Sequence, residues 1–297
     1  MIRIGPAGWS YPDWEGRVYP SSKPPGFHPL GYLAQYFDCV EINSSFYAMP
    51  GAEHARRWAD LVSGHPPFRF FVKLNREFTH RDKSARAEDP SATHDLAQEF
   101  RAGIEPLVRA RRLGAVLVQF PAGFRNGAEE VRWLGRIKGH FPDVPLVLEV
   151  RHASWFTPPA LDAVRGLAYS LAYIDLPPAW NHPPGWHEPT GSVGYLRLHG
   201  RNREQWFRRD AGRDDRYDYL YDPAEIESLA AQARRIAGVH GETAVVTNNH
   251  FGGKAVVNAL EMQAILRGEP QLAPAEIAQA YPRLRSVVRV EGQQNLF

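Results

Sequence analysis

The segment VLEVRHASW, residues 147–155, places two charged side chains on what resembles a buried strand. Successive side chains of a strand alternate between its faces, so Glu149 and Arg151 share one face with Val147. A buried charge is unfavourable without a partner, so this face must meet opposite charges, water or a ligand. The pattern predicts a polar site at the end of this strand.

Four groups with acid or base chemistry stand at the ends of predicted strands: Glu41, Glu149, Asp175 and His199. Glu149 or Glu41 could act as a general base, while His199 could help to stabilise negative charge. Glu41 and Glu149 could also be the carboxylate pair of a glycoside-processing enzyme. An ion-pair network that only holds the fold together is the structural alternative.

Three cations are predicted at the same place, which favours an anionic ligand. Lys73, Arg151 and Arg197 each lie near the end of a predicted strand. Further along, NNHFGGKA contains Gly252 and Gly253, whose backbone N–H groups can approach a phosphate where a helix begins. The same motif is also typical of an ordinary tight turn. The predicted ligand is a small anionic or phosphate-bearing molecule.

The elements that must position these residues form a regular pattern of β-rich runs and helix-like segments. The runs are residues 2–7, 40–43, 68–73, 115–120, 146–151, 170–175, 193–199 and 243–248. Alternation of this kind predicts parallel βαβ units, hence an α/β fold with a single (β/α)8 TIM-like barrel over residues 1–267. Residues 268–297 are predicted to form a helix-like extension and a tail. An open doubly wound sheet is the rival fold, but GPAGWSY poorly matches the glycine-rich turn that it needs.

Every second residue of a β-rich run shares one face of the predicted strand, and in most runs one of the two faces carries the polar residues. That face carries Glu41, Asn43, Phe71, Lys73, Leu117, Gln119, Glu149, Arg151, Tyr173, Asp175, Arg197, His199, Val246 and Asn248. The opposite face is almost entirely apolar and is predicted to pack against the helices. The polar residues therefore meet at the C-terminal mouth, where barrel enzymes carry their chemistry. Asn43, Gln119 and Asn248 are predicted to bind substrate there.

Aromatic residues follow several strand ends and are predicted to wall the mouth. They are Trp9, Tyr11, Trp14, Phe46, Tyr47 and Trp155. Their rings would offer stacking faces for a sugar or a base, and packing beneath loops is the alternative. The long loop over residues 200–223 is rich in arginine and aromatic residues. A solvated loop is its default interpretation, and a lid over the phosphate site is the sharper prediction.

The composition narrows the class of protein. Lys and Arg together number 35 against 33 Asp and Glu, so overall charge gives no argument for nucleic-acid binding. The single cysteine, Cys39, excludes an internal disulfide framework, and neither H-x-H nor H-E-x-x-H occurs, so no metal or other cofactor is predicted. We expect a cytoplasmic protein without a membrane partner, because Met1 leads straight into a strand-like segment and no apolar run reaches membrane-spanning length.

Nine short motifs together resemble those of a known family. They are GPAGWSYPDWEGRVYP, VEINSSFYAMP, FVK, VQFP, LEVRHASW, DLPP, LRLHGR, RYDYLY and NNHFGG. In this order they resemble the YecE-like family, the domain of unknown function numbered seventy-two, over residues 1–266. The resemblance implies a TIM-barrel relative without an established activity. It also implies that the motif positions Trp9, Ser10, Tyr11, His152 and Trp155 belong to the substrate site.

The tail GQQNLF, residues 292–297, carries a motif unrelated to the barrel. Gln293, Leu296 and Phe297 resemble the Q-x-x-L-F peptide with which bacterial replication and repair proteins bind the sliding clamp. Packing of Leu296 and Phe297 back onto the barrel is the alternative. Clamp binding would place the protein near DNA.

These observations predict an enzyme without a metal, a hydrolase, lyase or isomerase, acting on a phosphate-bearing substrate at the mouth. The first alternative is a nucleic-acid-binding protein that accepts a phosphodiester or a flipped base there. The affinity of such a protein for nucleic acid would fall steeply as the salt concentration rises. The glycoside-processing enzyme is the second alternative.

Overall fold

The computed structural model describes residues 1–80, 90–208, 210 and 212–290. Its strands are β1 (Ile2–Pro6), β2 (Cys39–Ile42), β3 (Arg69–Lys73), β4 (Leu113–Gln119), β5 (Leu146–Glu149), β6 (Ser170–Leu171), β7 (Tyr173–Asp175), β8 (Val193–Leu198), β9 (Glu242–Thr247), β10 (Gln271–Leu272) and β11 (Val288–Arg289). Its helices are α1 (Pro29–Leu33), α2 (Ser44–Tyr47), α3 (Ala52–Leu61), α4 (Arg76–Thr79), α5 (Pro90–Arg109), α6 (Ala128–His140), α7 (Pro158–Gly166), α8 (Arg203–Trp206), α9 (Arg213–Tyr217), α10 (Pro223–Ala237), α11 (Lys254–Arg267) and α12 (Ala275–Ala280). Short 3-10 helices lie at Pro12–Trp14, Ala153–Phe156, Phe251–Gly253 and Pro282–Ser286.

The long strands pair as two parallel sheets. One has the order β2-β3-β4-β5-β6 and the other the order β1-β9-β8-β7. A single bridge between Ala7 and Glu41 joins the end of β1 to β2, and Gly8 N donates to Glu41 O at 2.8 Å. The predicted strand over residues 170–175 is two strands, because β6 pairs with β5 whereas β7 pairs with β8. The α/β class with parallel strands is confirmed, and its hydrogen bonds arrange it as two sheets.

A small apolar cluster contains inward-facing residues from both sheets. Its members are Ala7, Cys39, Phe71, Ala115, Leu117, Val147, Ala172, Ile174, Val193, Tyr195, Ala244 and Val246. Side chains two residues apart on a strand share a face, so Lys73 follows Phe71 inward and Glu149 follows Val147. The inward direction of the charged strand ends is therefore as predicted for β2 to β5, β8 and β9.

The predicted direction is wrong for the strand that splits in two. Ile174 belongs to the inner cluster, whereas Tyr173 packs in an outer cluster with residues of α10 and α11. Asp175 consequently points away from the inner face. Assigning the inner face by counting back from Asp175 gives the wrong face, because its carboxylate accepts hydrogen bonds from Arg201 and Tyr221 on the outer side of the sheet.

Two larger apolar clusters cover the outer faces of the sheets and fix the loops that carry polar groups. In α11, ten consecutive residues from Ala255 to Ala264 are buried, which makes this helix part of the core. The loop before α10 ends at a capping box, in which Asp222 Oδ1 accepts from Glu225 N at 2.8 Å and Glu225 Oε2 accepts from Asp222 N at 2.9 Å. Such a reciprocal cap holds the start of a helix at a defined point.

The segment after α11 packs against the rest of the fold. Strands β10 and β11 pair in parallel, with α12 between them along the chain. Ile277 and Leu284 are buried in the same cluster as α11, so this extension shares a core with the preceding residues. The tail residues Gln293, Leu296 and Phe297 lie outside the described residues. Over the ranges described, no helix combines the length and apolarity needed to cross a bilayer.

Candidate functional site

Arg197, on β8, is the centre of a buried polar cluster at the carboxyl ends of the strands. Its side chain is 2% exposed. Nε and Nη2 donate to the two oxygens of Glu41 at 2.9 and 2.6 Å. Nη1 donates to Glu149 Oε2 at 2.8 Å and to Gln119 Oε1 at 3.0 Å. One planar guanidinium therefore ties β8 to β2, β4 and β5, a fork geometry that lysine does not provide.

Glu41 is held by this arginine and by a tyrosine. The glutamate is fully buried, and Tyr195 OH donates to its Oε2 at 2.7 Å. Burial raises the pKa of Tyr195, and the negative charge of Glu41 adds to the effect, so the phenol remains a donor. With both carboxylate oxygens engaged and no contact with solvent, Glu41 fixes the strand ends and is poorly placed to take a proton from a substrate.

Glu149 and Arg151 form the ion pair that their shared strand face predicts. Arg151 Nε and Nη2 donate to Glu149 Oε1 at 3.0 and 2.8 Å. Burial acts to raise the pKa of Glu149, but Arg197, His199 and Arg151 together outweigh it and hold the pKa well below its usual range. Glu149 therefore stays ionised at neutral pH.

His199 lies buried beside this carboxylate. Its Nε2 is 3.2 Å from Glu149 Oε1, although the two atoms do not meet at a hydrogen-bonding angle, and its Nδ1 is 3.1 Å from Asn248 Nδ2. Burial lowers the pKa of His199 to about 3, against the opposing pull of Glu149. The ring is therefore neutral at neutral pH, and Asn248 donating to Nδ1 places its proton on Nε2.

Lys73, at the end of β3, differs from the other charges of the cluster. Its Nζ lies 4.1 Å from the centroid of the Phe46 ring, and in the described part of the chain no carboxylate oxygen comes within 4.0 Å of it. Burial lowers the pKa of Lys73 to about 7, and the charge of Arg197 adds to this effect while Glu41 and Glu149 oppose it. About half of the Lys73 amines are then uncharged at neutral pH.

A cavity of about 110 Å³ lies over this cluster. It is lined by Tyr11, Asn43, Tyr47, Lys73, Arg197, Tyr217, Asn248 and His250. Asn43 Oδ1 is buried without a hydrogen-bond partner among the described residues. Leaving a buried acceptor unsatisfied is unfavourable, so this oxygen is ready to accept a hydrogen bond from a ligand. The structure thus brings together the predicted binding residues Tyr11, Asn43, Lys73 and Asn248.

The long loop after β8 places aromatic rings over the polar cluster. Its helices α8 and α9 end at Trp206 and Tyr217, whose ring centroids are 5.8 Å apart. Trp206 also lies 5.9 Å from the His199 ring, and Tyr217 lines the cavity. Arg208 of the same loop instead pairs with Asp210 at the surface. Two aromatic side chains of the predicted lid, Trp206 and Tyr217, therefore lie at the site.

Two of the aromatic residues that were predicted to wall the mouth are instead packed beneath loops. Trp155 is fully buried, stacks on Phe124 with ring centroids 5.4 Å apart and donates Nε1 to Phe124 O at 2.9 Å. Trp14 is also fully buried and donates Nε1 to His250 O at 2.8 Å. The prediction that Trp155 and Trp14 wall the mouth is wrong, because both indoles satisfy their N–H groups on loop carbonyls inside the core.

Three further motif residues lie away from the cavity lining. The Trp9 ring packs edge-on against Trp58 with centroids 5.5 Å apart. Ser10 is exposed. His152 Nδ1 accepts from Ser154 N at 3.2 Å and caps the 3-10 helix that follows. These positions support loops or face solvent, while the cavity is lined by other residues of the same motifs.

The glycine turn after β9 already binds a side chain of the protein itself. Gly252 and Gly253 adopt φ angles of 67° and 80°, which favour glycine, and Gly252 N donates to Asp13 Oδ2 at 2.6 Å. Lys254 pairs with Asp218. A phosphate site at this turn stays a prediction, and in the structure the Asp13 carboxylate already takes the place of an anion at the Gly252 N–H.

The four predicted catalytic groups do not form one set. Asp175 belongs to a separate cluster, in which Arg201 Nη2 donates to its Oδ1 at 2.7 Å and Tyr221 OH to its Oδ2 at 2.6 Å. Glu41, Glu149 and His199 remain together around Arg197. Within the ranges that the structure describes, no three His, Cys, Asp or Glu residues are placed to hold a metal ion.

Three residues of the site were not predicted from the sequence: Tyr195, Tyr217 and His250. Tyr195 stands two positions before Arg197 on β8, so the strand alternation could have found it. Tyr217 and His250 lie within the motifs RYDYLY and NNHFGG. Their inward direction depends on loop conformation, for which the sequence offers no periodic signal.

The comparisons with known proteins agree on one family. The model described as "Protein of unknown function DUF72" matches residues 3–282. The chain is 29% identical over 288 residues to UPF0759 protein YunF of Bacillus subtilis (strain 168), across 93% of this chain and 99% of that protein. It is 32% identical over 158 residues to UPF0759 protein YecE of Escherichia coli (strain K12), across 52% and 50% respectively.

Solved structures give the same result. A DUF72 family protein from Thermotoga maritima MSB8 superimposes with a TM-score of 0.76 at 31% identity, across 90% of this chain and 99% of that one. A DUF72 family protein from Enterococcus faecalis V583 gives a TM-score of 0.77 at 28% identity, across 90% and 96%. The family resemblance of the sequence motifs is confirmed, and none of these names states an activity.

Proposed function

We propose that this chain, which belongs to the family of unknown function DUF72, is an enzyme acting on a small phosphate-bearing substrate. Lys73 is the proposed reacting group. The observation that carries the proposal is the environment of Lys73. Lys73 lines the cavity, and in the part of the chain that the structure describes no carboxylate oxygen lies within 4.0 Å of its Nζ. Burial lowers its pKa to about 7, which provides a neutral amine at neutral pH.

The carboxylates are assigned a supporting role. Glu41 and Glu149 are fully buried and are bound to the same guanidinium, that of Arg197. A glycoside-processing enzyme needs one carboxyl group that is protonated at working pH. The pKa of Glu149 is held well below its usual range by the charges around it, against the effect of burial, which argues against this alternative.

Arg151 is the proposed contact for the phosphate group. Its Nε and Nη2 donate to Glu149, while Nη1 makes no hydrogen bond to the described residues, and 16% of its side chain is exposed. Two carboxylates and two arginines of the cluster cancel in charge. A bound anion would then favour a proton on Lys73, because an opposite charge nearby raises the pKa of an amine.

We also propose that the two sheets close into a (β/α)8 TIM-like barrel with this site at its mouth. Supporting contacts exist at both seams: the Ala7 to Glu41 bridge joins β1 to β2, and only Ala172 separates β6 from β7 along the chain. Closure would place the cavity where barrel enzymes bind their substrates.

Calorimetric titration tests the anion site. The probes are glycerol phosphate, and sulfate as an anion whose charge is the same at pH 6 and pH 8.5. We expect one site in the wild-type protein, with an affinity for sulfate that falls as pH rises through about 7, where Lys73 loses its proton. Arg151→Gln is expected to weaken binding about tenfold, the loss of one charged hydrogen bond.

Two further variants complete the titration. Lys73→Met should bind sulfate with an affinity that no longer changes between the two pH values. Lys23→Gln, which removes an exposed lysine paired with Glu15, is the matched control and should behave as wild type. Absence of anion binding in the wild-type protein, or equal affinities in wild type, Arg151→Gln and Lys73→Met, would refute the proposal.

A further inference from the structure

We propose that the Lys73 amine forms an imine with a small aldehyde or ketone that also carries the phosphate group. This inference rests on the proposed function and names the chemical class of its substrate. It assigns to Lys73 a nucleophilic role in addition to the exchange of a proton.

The position of the amine supports nucleophilic attack. Imine formation requires a nitrogen lone pair that is neither protonated nor used in a hydrogen bond. Lys73 Nζ lies over the face of the Phe46 ring, 4.1 Å from its centroid, and Lys73 is one of the residues that line the cavity. No carboxylate oxygen of the described residues lies within 4.0 Å to hold it as an ammonium ion.

Burial favours the neutral form of the Lys73 amine. Burial lowers its pKa to about 7, with Arg197 and Arg151 acting in the same direction against Glu41 and Glu149. An ordinary lysine, with a pKa near 10.4, is only ~0.04% neutral at pH 7. Before an anion binds, the neutral fraction of Lys73 at pH 7 is therefore about 10³-fold larger than that of an exposed lysine.

The cavity selects for a small substrate. Its volume of about 110 Å³ is small beside the roughly 300–1,000 Å³ that is typical of ligand pockets. Such a space suits the carbonyl end of a short molecule. Its phosphate group would then lie toward the partly exposed Arg151.

The proposed step is balanced without an oxidant or reductant. The nitrogen lone pair attacks the carbonyl carbon, so that the C–N bond forms while the C=O π bond breaks, and one proton passes from the nitrogen to the oxygen to give a carbinolamine. The second N–H proton then joins the departing hydroxyl group, which leaves as water while the C=N bond forms. One amine and one carbonyl compound thus yield one imine and one water.

The lining residues include partners for these intermediates. Asn43 Oδ1, the buried acceptor without a partner among the described residues, can accept from the N–H or O–H of the carbinolamine. Tyr47 and Tyr217 bring phenol groups to the same cavity, so proton donors for the departing oxygen are present. A protonated imine withdraws electrons from the neighbouring carbon, which is the chemistry that lysine-dependent lyases and isomerases use.

Reductive trapping tests this inference. The full chain is incubated at pH 7 with glycolaldehyde phosphate and sodium cyanoborohydride, and the modified residues are located by peptide mass mapping. The chain has five lysines, at positions 23, 73, 83, 138 and 254, so each site can be resolved. We expect Lys73 to be modified at least 100-fold faster than Lys23, and glycerol phosphate, which lacks a carbonyl, to slow this reaction.

Comparison arms separate this inference from the proposed function. Glycolaldehyde without phosphate should modify Lys73 more slowly, and Lys73→Met should lose the fast phase while Lys23→Gln keeps it. If anions bind by calorimetry but Lys73 reacts no faster than Lys23, the imine is refuted and the anion-binding enzyme stands. If neither binding nor fast modification occurs, both proposals fail. The comparison of Lys73 with Lys23 is made within the wild-type chain and does not depend on the folding of a variant.

Discussion

Replacement of Lys73 by methionine is expected to stabilise the protein, by an amount that depends on pH. Methionine keeps the unbranched shape of the side chain and removes its charge. The pKa of Lys73 is lowered by burial from 10.5 to about 7. At ~1.4 kcal/mol for each factor of ten in proton affinity, this corresponds to about 3 to 5 kcal/mol, the lower figure allowing for partial exposure.

The pH dependence follows from the direction of this shift. Below pH 7 both the folded and the unfolded chain carry the Lys73 proton, so the folded state bears the full unfavourable energy of a buried ammonium. Between about pH 7 and 10.5 only the unfolded chain keeps the proton, so wild-type stability rises with pH. The advantage of Lys73→Met should therefore be largest at pH 6 and should shrink toward pH 10.

Thermal unfolding at pH 6, 7.5 and 9 measures the effect. At ~2 °C per kcal/mol for a chain of this size, the midpoint should rise by about 6 to 10 °C at pH 6 and by less at pH 9. Lys23→Met is the control, because this exposed lysine pairs with Glu15 at the surface, and its midpoint should change little at any pH. A destabilised Lys73→Met, or a difference that is the same at all three pH values, would contradict the assignment of a buried, weakly basic amine.

Three further predictions address the supporting residues. Glu149→Gln should lower the free energy of unfolding by about 3 kcal/mol, because it removes a charged partner of the buried Arg197 and of the partly exposed Arg151, and denaturant titration at pH 7 measures this. Since the pKa of Glu149 is held well below the usual range, the difference should fade as pH drops below the unfolded pKa near 4.5. Asp13→Ala should cost about 1 to 3 kcal/mol of stability by leaving the Gly252 N–H unsatisfied, while the affinity for sulfate stays unchanged; tighter sulfate binding would mean that the turn is an anion site after all. Full-length chain should retain purified sliding clamp in a pull-down while a chain ending at Gly292 should not, and equal recovery from both would remove the clamp as a partner.

Much of the polar cluster could be predicted because strand alternation is a strict geometric rule. Once β5 and β8 are recognised, Glu149 and Arg197 must face the same interior, and a buried carboxylate needs a buried cation. The same rule failed at Asp175, where the strand is only three residues long and the charge pairs with Arg201 outside. Alternation therefore predicts a face only where the strand is long enough to have both a buried and a polar side.

The loops could not be predicted in the same way. Trp155 and Tyr217 both lie in motif segments near the mouth, yet one is buried against Phe124 and the other lines the cavity. The Gly252 turn matches a phosphate loop in sequence, but Asp13, more than two hundred residues earlier, supplies its anion. Which side chain completes a loop is decided by contacts between distant segments, for which a single sequence has no signal.

The degree to which each charge is satisfied distinguishes the reacting group from its supports. Arg197 makes four hydrogen bonds to three side chains, and Glu41 and Glu149 accept from it with no exposed surface. Groups fixed in this way cannot change partners during a reaction without losing several kcal/mol of buried ion-pair energy. Lys73 has no such partner among the described residues and lies at the cavity, so protonation or bond formation there leaves the network intact. In the proposed function, the carboxylates that the sequence suggested as acid and base form the framework, and Lys73, which it suggested as a fixed charge, is the group that reacts.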